Sequence, residues 1–453
     1  MLIRNINIYQ KHGKTINNIY IANGKLEILD NNTEPTGLIR ETIHANKNDT
    51  LMPGLLDAHV HGQGGPDFAD VGKEPDHLHI IAKKLGETGL SYAMATLISL
   101  DIATLTQSLK AINDFVVQQK QNPTPGYTRF VGIHLEGPFI AKHCKGAHAE
   151  SALQDTINLE LFKKIISAAP DIKEWKITLA PDLPGAQSFI KDVKQLENEG
   201  IFVKVFIGHA NPEDKDTIDK AVQSGIAGFT HLGNACQETC CREERALYKH
   251  DAKSHVVQWV LDHPDQCPSG VELIVDGMHL SQSFVSLVKK TLGNKVVLVT
   301  DALGPTGLLD GLYSLGTLTI RKEGHTFYSA DDNGDFILKE GVLLNGETGK
   351  VKSLCGSGVA LPDCIKRFCD WTKEKECDVE TIMDTIYYAC IENPRVSSLS
   401  QHAIKALPDD ENFTIFDEQG RLVMSLCNGK INRHQVMDAD LCQGLHTMFN
   451  RRL

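Results

Sequence analysis

Five short segments of the chain end in side chains that can bind metal ions or transfer protons. Each segment lies at or directly after the end of an apolar, β-branched run. They are Asp57-Ala58-His59-Val60-His61-Gly62, His134-Leu135-Glu136-Gly137-Pro138, Gly208-His209, Thr230-His231 and Val299-Thr300-Asp301. On a β-strand, residues i and i+2 point to the same face, so His59 and His61 can bind one ion together.

These residue types predict a hydrolytic metal site. Imidazole and carboxylate ligands together suit zinc, iron, manganese or cobalt. Such an ion lowers the pKa of a bound water from about 15.7 towards 7 and polarises a carbonyl oxygen. A carboxylate beside that water can accept its proton and pass it to a leaving group, and Asp301 is the candidate for this role. The chemistry expected is hydrolysis of an amide or a related carbonyl compound.

Each of these segments also has a structural explanation. His-x-His pairs occur by chance, and His209 and His231 could each be a histidine whose hydrogen bonds are satisfied at a strand end. Asp301 could cap a helix, because Ala302 follows it, and Glu136 could pair with a lysine. The metal site is absent only if all of these explanations hold at once.

An alternation of apolar strands and helical stretches in the middle of the chain must position these residues. Eight strands are predicted, at 51–59, 91–98, 130–136, 175–180, 202–208, 226–231, 271–276 and 295–300. Helices are predicted between them, at 76–88, 101–120, 158–168, 186–199 and 213–224. Eight strands with helical crossovers predict an α/β fold, a (β/α)8 TIM barrel, whose catalytic residues lie at the carboxyl ends of the strands.

Both ends of the chain have patterns that are typical of short strands. Residues 16–29 contain the hairpin signal Asn23-Gly24, and a similar pattern returns at 413–425. We therefore predict a small β-sandwich domain from residues 1–50 and 395–453, and a barrel catalytic domain of the metal-dependent hydrolase type at 51–394. The tail beyond about 430 is predicted to form a helix, and residues 236–270 a loop and helix over the barrel mouth.

Composition limits the partners and the compartment. The 453 residues carry 46 basic and 58 acidic side chains, a net charge of −12, which argues against nucleic acid or an anionic membrane as the main partner. No stretch approaches the ~18 apolar residues of a membrane span. The N-terminus alternates apolar and polar residues and lacks the apolar core of a signal peptide. We expect a cytoplasmic protein whose 12 scattered cysteines, including Cys240-Cys241, are free thiols.

Linked motifs along most of the chain resemble the N-acetylglucosamine-6-phosphate deacetylase family of the amidohydrolase superfamily. The resemblance runs from Met52-Pro53-Gly54 to Asn393-Pro394. Its most specific part is His134-Leu135-Glu136-Gly137-Pro138 followed by Lys145-Gly146-Ala147-His148. The supporting motifs are Gly208-His209-Ala210-Asn211, Thr230-His231-Leu232-Gly233-Asn234-Ala235, Val275-Asp276-Gly277-Met278-His279, Leu298-Val299-Thr300-Asp301-Ala302 and Leu354-Cys355-Gly356-Ser357.

The resemblance implies a barrel with a β-sandwich from both chain ends, and hydrolytic removal of acetate from the amino sugar phosphate. Glu136, His209 and His231 would hold the principal metal. Some family members lack the first-strand His-x-His pair and use one metal, whereas this chain keeps His59 and His61. A second ion bridged by Glu136 is then expected, so the cofactor is one or two divalent ions per subunit. Zinc is favoured, with iron, manganese or cobalt as alternatives.

The resemblance also implies the substrate contacts and Asp301 as general base and acid. His148 would contact the substrate near the reacting carbonyl. Asn234 and the backbone of Ala235 would contact the sugar or its phosphate. Arg242 and His279 would bind the phosphate, with Arg242 reaching across a homodimer interface, and an arginine can bind phosphate oxygens in a bidentate way. The alternatives are a solvated charged surface for Arg242 and a packing role for His279.

Two other functions remain open at this point. One is an amidohydrolase for another substrate, such as N-acetylgalactosamine 6-phosphate or a cyclic amide. Cyclic-amide hydrolases often bridge two metals with a carboxylated lysine at the end of the fourth strand, but Lys176 lies too early in that strand. The other is a non-catalytic scaffold, which is disfavoured because every ligand type and Asp301 are present. The chain departs from the family pattern in its longer, polar residues 243–270, in Gly233 and in residues 303–307.

Overall fold

The computed structural model describes residues 1–10, 13–236, 254–342, 348–373 and 378–434. The chain begins with five strands, β1 (Leu2–Gln10), β2 (Gly13–Ala22), β3 (Lys25–Leu29), β4 (Thr42–His44) and β5 (Thr50–Pro53). β1 pairs antiparallel with β2 and parallel with β4 and β5. The turn between β2 and β3 has φ of 51° at Asn23 and 77° at Gly24, as a type I′ hairpin turn requires. The hairpin predicted at this pair is confirmed.

Eight parallel strands follow, and each pairs with the next one along the chain. They are β6 (Leu55–Val60), β7 (Leu90–Leu97), β8 (Arg129–Glu136), β9 (Glu174–Leu179), β10 (Phe202–Ile207), β11 (Gly228–Phe229), β12 (Gly270–Ile274) and β13 (Val296–Val299). The helices of the crossovers are α1 (His77–Glu87), α2 (Ile102–Gln121), α3 (Leu159–Ile166), α4 (Ala186–Asp192), α5 (Asp216–Ser224), α6 (His255–Asp262) and α7 (Gln282–Leu292). All eight predicted strand segments overlap a barrel strand, although the segment 51–59 is divided by Gly54 into β5 and β6.

The first and last barrel strands meet beside the predicted site. An isolated parallel bridge joins Val60 to Ala302. The backbone N–H of Asp301 donates to the carbonyl of His59 (2.9 Å), and that of His61 donates to Ala302 (2.9 Å). With this seam the eight strands form a nearly closed parallel barrel, so the predicted (β/α)8 fold is confirmed.

Local sequence explains why the crossover helices begin and pack where they do. The Asp101 carboxylate accepts hydrogen bonds from two backbone N–H groups in the first turn of α2, and the Ser281 hydroxyl accepts one in the first turn of α7. Apolar residues of the helices are buried against strands in which nearly every side chain is also buried. Each fully buried Leu, Ile or Phe contributes about 1.5–3 kcal/mol. The barrel is therefore a packed scaffold that can hold functional side chains rigidly at its rim.

Beyond the barrel strands the chain adds a second sheet region that the sequence did not predict. Its strands are β14 (Gly311–Leu315), β15 (Leu318–Glu323), β16 (Thr326–Ala330), β17 (Leu338–Val342), β18 (Thr348–Lys352) and β19 (Leu354–Ser357). Four of them form one antiparallel sheet in the order β14-β15-β16-β19, and β17 pairs with β18. The helices that follow are α8 (Leu361–Thr372), α9 (Val379–Tyr387), α10 (Asn393–Ser398) and α11 (Gln401–Lys405).

The C-terminal strands complete the sheet that the N-terminus begins. They are β20 (Phe413–Phe416), β21 (Leu422–Cys427) and β22 (Lys430–Arg433). The sheet order is β22-β21-β20-β5-β1-β2-β3, with β4 beside β1. A β-rich unit from both chain ends therefore accompanies the barrel. The domain boundaries at 50 and 395 stay a prediction, and the predicted terminal helix after residue 434 lies outside the described residues.

Two further expectations concern cysteines and membranes. The eight cysteines within the described ranges are buried, while Cys240 and Cys241 lie outside those ranges. Of the helices that the structure describes, none combines the length and the apolar character needed to cross a lipid bilayer.

Candidate metal centre and active site

The six side chains predicted to bind metal or transfer protons lie at the same end of the barrel. His59 is the second-last residue of β6 and His61 directly follows that strand, while Glu136 is the last residue of β8. Each of the other three lies two residues beyond its strand, and these are His209 after β10, His231 after β11 and Asp301 after β13. The carboxyl ends of parallel strands meet at one rim, which is where barrel enzymes carry their catalytic groups.

Three of these residues have an unusual backbone. His209, His231 and Asp301 have φ of 49°, 28° and 51°, in the left-handed region that most residues avoid. Such strain costs on the order of 1–3 kcal/mol per residue and concentrates at functional sites, where the surrounding structure holds it. The bend turns each side chain at a strand end into the barrel mouth, and this explains how residues from three strands can converge.

Glu136 is the centre of the cluster. Its Oε1 lies 2.9 Å from Nε2 of His209 and 2.9 Å from Nε2 of His231, and these two nitrogens are 3.0 Å apart. On the other side, Oε1 lies 3.5 Å from Nε2 of His59, and Oε2 lies 3.4 Å from Nε2 of His61. One carboxylate therefore contacts both histidine pairs that the sequence singled out.

Asp301 lies against the first histidine pair. Its Oδ1 is 3.0 Å from Nε2 of His61 and 3.3 Å from Nε2 of His59. Burial disfavours a charged carboxylate, but the imidazoles of His59 and His61 hold the pKa of Asp301 below its usual value. Burial likewise disfavours a charged imidazole, yet Asp301 and Glu136 raise the pKa of His61 to about 9. The two carboxylates thus make the site attractive to positive charge.

These donors fit a divalent metal ion. His59, His61, Glu136 and Asp301 form one group, and Glu136, His209 and His231 form another, each with ligand atoms within 4.8 Å of one another. All of these side chains are buried. Borderline metals such as zinc take imidazole nitrogen and carboxylate oxygen together. Two ligand groups that share Glu136 suit one ion or a bridged pair.

Neighbouring groups orient two of the imidazoles. The Nδ1–H of His209 donates to the carbonyl of Cys144 (2.9 Å), which leaves its Nε2 lone pair directed at the cluster. The backbone N–H of Ser99 donates to Nδ1 of His148 (3.1 Å), so a neutral His148 carries its proton on Nε2, which is 3.3 Å from Oε2 of Glu136. Burial lowers the pKa of His148 to about 4. His148 is therefore a neutral hydrogen-bond donor in the cavity.

The cavity above the cluster has a volume of about 80 Å³. His148, Asn234, Ala235 and His279, which the sequence analysis assigned to the substrate, all line it. Its apolar wall is formed by Ile98, Leu303, Leu354 and Cys355. A concave site that combines apolar walls with a few converging polar groups is typical of small-molecule binding.

Hydrogen bonds orient the side chains of two of these residues, His279 and Asn234. The Asp276 carboxylate lies 2.8 Å from Nδ1 of His279 and also accepts the backbone N–H groups of Met278 and His279 (2.8 Å each), which fixes the ring. The amide nitrogen of Asn234 donates to the carbonyl of His231 (3.2 Å). The buried Oδ1 of Asn234 has no hydrogen-bond partner among the described residues. Arg242 lies outside the described residues.

Several groups that complete the site were not anticipated as functional. Ser99 and the Cys144 carbonyl orient imidazoles, and neither position has a sequence signal, since each depends on the folding of a loop. Asp276 does have one, because it precedes His279 by three residues in an otherwise apolar segment. Glu272 is a charged residue inside the apolar run Val271–Val275, and its side chain is buried in the barrel.

The structural explanations considered for Asp301 and Glu136 do not describe what is observed. Asp301 is followed by turns rather than by a helix, so it is not a helix cap. Glu136 contacts histidines, while the buried Lys176 binds the Glu272 carboxylate and the Ala58 carbonyl (3.1 Å). Lys176 is thus occupied below the cluster, consistent with the expectation that it does not bridge two metals.

Comparisons with known proteins find several relatives of this chain. No family model matches the chain. N-acetylglucosamine-6-phosphate deacetylase of Vibrio furnissii is 29% identical over 321 residues, which cover 71% of this chain and 68% of that protein. The enzyme of the same name from Bacillus subtilis is 27% identical over 333 residues, covering 73% and 78%.

Solved structures confirm the fold. The crystal structure of N-acetylglucosamine-6-phosphate deacetylase from Pasteurella multocida aligns with a TM-score of 0.72 at 22% identity, covering 96% of this chain and 99% of that one. The fold, the motifs and the curated relatives lead to one conclusion. The chain is similar in sequence and in fold to the N-acetylglucosamine-6-phosphate deacetylases of the amidohydrolase superfamily.

Proposed function

We propose that this protein is a metal-dependent amidohydrolase that hydrolyses N-acetylglucosamine 6-phosphate to glucosamine 6-phosphate and acetate. One observation carries the proposal. Four histidines and two carboxylates from five barrel strands converge in a buried cluster beneath a cavity with a mixed polar and apolar lining. The two curated relatives named above are called by this activity, and the aligned region covers 68% and 78% of their length.

Glu136, His209 and His231 would hold the principal ion, and His59, His61 and Asp301 would complete a second site that shares Glu136. When bound, a divalent ion of this class supplies Lewis acidity, which acidifies water and polarises a carbonyl group. Zinc is the favoured metal because imidazole and carboxylate donors are mixed in a tight cluster. Iron, manganese and cobalt accept the same donors.

Asp301 is the proposed general base and acid. Its carboxylate is held as an anion beside the cluster, so it can accept a proton from the attacking water. The same oxygen then donates that proton to the amide nitrogen, which leaves as the amine of the sugar. Acetate takes up the hydroxyl from the water. A positioned acid–base group of this kind typically contributes about 10²–10⁴-fold to the rate.

His148 is the proposed electrophilic residue. Because Ser99 fixes its neutral tautomer, its Nε2–H can donate to the carbonyl oxygen of the acetyl group as negative charge develops there. A neutral imidazole with a low pKa can fill this role across the whole range around neutral pH. In this proposal Asp301 transfers the proton and His148 polarises the carbonyl group.

The substrate contacts follow from the lining of the cavity. The buried Oδ1 of Asn234 can accept a hydrogen bond from a sugar hydroxyl, and the left-handed Ala235 (φ 48°) exposes its backbone beside it. The imidazole that Asp276 orients, His279, is proposed to bind the phosphate together with Arg242. We retain the proposals that Arg242 comes from the second subunit of a homodimer and that the protein is cytoplasmic.

A two-ion site makes a prediction about metal content. Replacing both His59 and His61 with alanine is expected to lower the bound metal from about two ions per subunit to about one, because Glu136, His209 and His231 remain. The measurement is the metal content of each protein after gel filtration, determined by elemental mass spectrometry. His402→Ala removes an exposed histidine from α11 and should change nothing. Equal metal in the double variant and the unmodified protein would show that the pair is idle.

A substrate panel tests the function itself. Acetate release is measured with zinc, iron or manganese from the 6-phosphates of N-acetylglucosamine, N-acetylgalactosamine and N-acetylmannosamine, from unphosphorylated N-acetylglucosamine, and from a cyclic amide. We expect the highest kcat/KM for N-acetylglucosamine 6-phosphate and a clear loss without the phosphate.

Other outcomes of the panel have defined meanings. Equal kcat/KM for the phosphorylated and the unphosphorylated sugar would show that His279 and Arg242 do not bind a phosphate group. A preference for the galactosamine epimer or for the cyclic amide would select one of the alternative substrates. No turnover of any compound by metal-loaded protein would favour the non-catalytic scaffold.

A further inference from the structure

A charged pair lies inside the barrel, below the metal cluster. The ammonium of Lys176 on β9 binds Oε1 of Glu272 on β12, and the two side chains are 0% and 1% exposed. Lys176 also donates to the carbonyl of Ala58 (3.1 Å) and lies 4.4 Å from the centre of the Phe206 ring. β9 and β12 are not neighbours in the sheet, so the pair spans the interior of the barrel.

Stability alone does not account for this pair. Removing two charges from water is costly, and well-packed apolar residues of similar volume often stabilise an interior equally well or better. Apolar packing is available to the interior of this barrel, since Ile274, on the same face of β12 as Glu272, is fully buried in an apolar cluster with Met94 and Val297. A role beyond packing would explain why charges are placed here.

The second oxygen of Glu272 points to that role. Oε2 lies 3.6 Å from Nδ1 of His59. Neither of these two buried atoms has a hydrogen-bond partner within the part of the chain that the structure describes. On the opposite side of the same ring, Nε2 of His59 lies 3.3 Å from Oδ1 of Asp301 and 3.3 Å from Nε2 of His61, so Nε2 is the atom that faces the cluster.

We propose that Glu272, held in place by Lys176, is a positioning residue that accepts the Nδ1 proton of His59 and so directs the Nε2 lone pair of His59 to the second metal ion. This inference rests on the proposed two-ion site. A neutral imidazole that gives one nitrogen to a metal carries its proton on the other nitrogen, and in a dry interior that proton needs an acceptor. Carboxylates in this position raise the basicity of the ligand and fix its ring.

The arrangement parallels the one at His209, but with a charged acceptor. His209 uses the Cys144 carbonyl for its Nδ1 proton, so the ion held by Glu136, His209 and His231 does not depend on Glu272. Loss of Glu272 should therefore affect the two ions unequally. A purely structural role of the ion pair would lower overall stability without this difference.

The test measures metal affinity rather than turnover. In Glu272→Gln, competition with a chromophoric zinc chelator should show the second ion bound about 10–100-fold more weakly, the range found when such outer partners of metal ligands are removed. The first ion should keep its affinity. Glu174→Gln is the matched control, because Glu174 is a buried carboxylate at the start of β9 that binds Ser400 instead of a metal ligand.

A second variant protects the test against misfolding, since Glu272→Gln leaves Lys176 as a buried cation without its counter-ion. The double variant Lys176→Met with Glu272→Leu replaces the pair by apolar side chains, which interiors often accept without loss of stability. It should fold and still bind the second ion about 10–100-fold more weakly.

The outcomes separate this inference from the proposed function. If the unmodified protein binds two ions and the double variant binds both with unchanged affinity, Glu272 has no positioning role, although the metal site and the activity stand. If the unmodified protein binds one ion only, the two-ion site and this inference both fail, while hydrolysis by a single ion at Glu136, His209 and His231 is unaffected.

Discussion

Replacing Asp301 with asparagine is expected to lower kcat for acetate release by about 10²–10⁴-fold, the contribution typical of a positioned acid–base group. An amide has the size of the carboxylate but cannot accept the proton of water at neutral pH. Asparagine is the informative replacement because it also tolerates the left-handed backbone of this position (φ 51°). The variant should therefore fold and keep the ion held by Glu136, His209 and His231.

Two measurements separate this effect from loss of metal or of structure. Metal content should remain at one ion per subunit or more, and the thermal unfolding midpoint should stay close to that of the unmodified protein. Asp49→Asn is a suitable control, since Asp49 is a buried aspartate that accepts hydrogen bonds in a turn of the N-terminal β-rich unit. Near-normal turnover by metal-loaded Asp301→Asn would show that another residue is the general base and acid.

Replacing Glu136 with glutamine should have the larger effect on metal. Its carboxylate contacts Nε2 of His59, His61, His209 and His231, so one substitution weakens both ligand groups. Loss of an outer partner alone weakens metal binding about 10–100-fold, so loss of this shared, charged ligand should weaken it by more than about 100-fold. Activity should fall to the level of chelator-treated protein.

The checks for Glu136→Gln are metal content after gel filtration and activity as a function of added zinc. A high zinc concentration should restore part of the activity, because the histidines remain. The matched control is again Glu174→Gln, a buried carboxylate at the opposite end of a neighbouring strand. Two tightly bound ions in Glu136→Gln would contradict the central position given to this residue.

The barrel and the ligand cluster could largely be predicted from sequence, because the apolar runs that mark the strands end at residues that can bind metal. Apolar runs of strand length located all eight barrel strands, and polar residues at their ends located the cluster. His59 and His61 illustrate why this works, since the two-residue repeat of a strand already places both side chains on one face. The hairpin at Asn23-Gly24 was predictable for a similar local reason.

Other features depend on contacts between distant parts of the chain and have no local signal. The Ser99 backbone fixes the tautomer of His148 across 49 residues, and Glu272 approaches His59 across the barrel. The β14–β19 region follows the last barrel strand in place of a plain crossover, and its short strands with exposed residues gave no clear periodicity. The left-handed backbone at His209 and His231 also could not be predicted from sequence, because a histidine gives no indication of that conformation.

The hydrogen bonds between His59 and Asp301 and between His61 and Ala302 make the two ends of the barrel domain meet within the ligand cluster itself. A cation shared by these residues would join segments that are more than 200 positions apart in the chain. Any ligand that binds only the folded state adds to its stability, by about 2.7 kcal/mol when its free concentration is 100 times Kd. Loss of metal would then do more than stop turnover. It would also destabilise the seam between the first and last barrel strands and so shorten the lifetime of the folded enzyme.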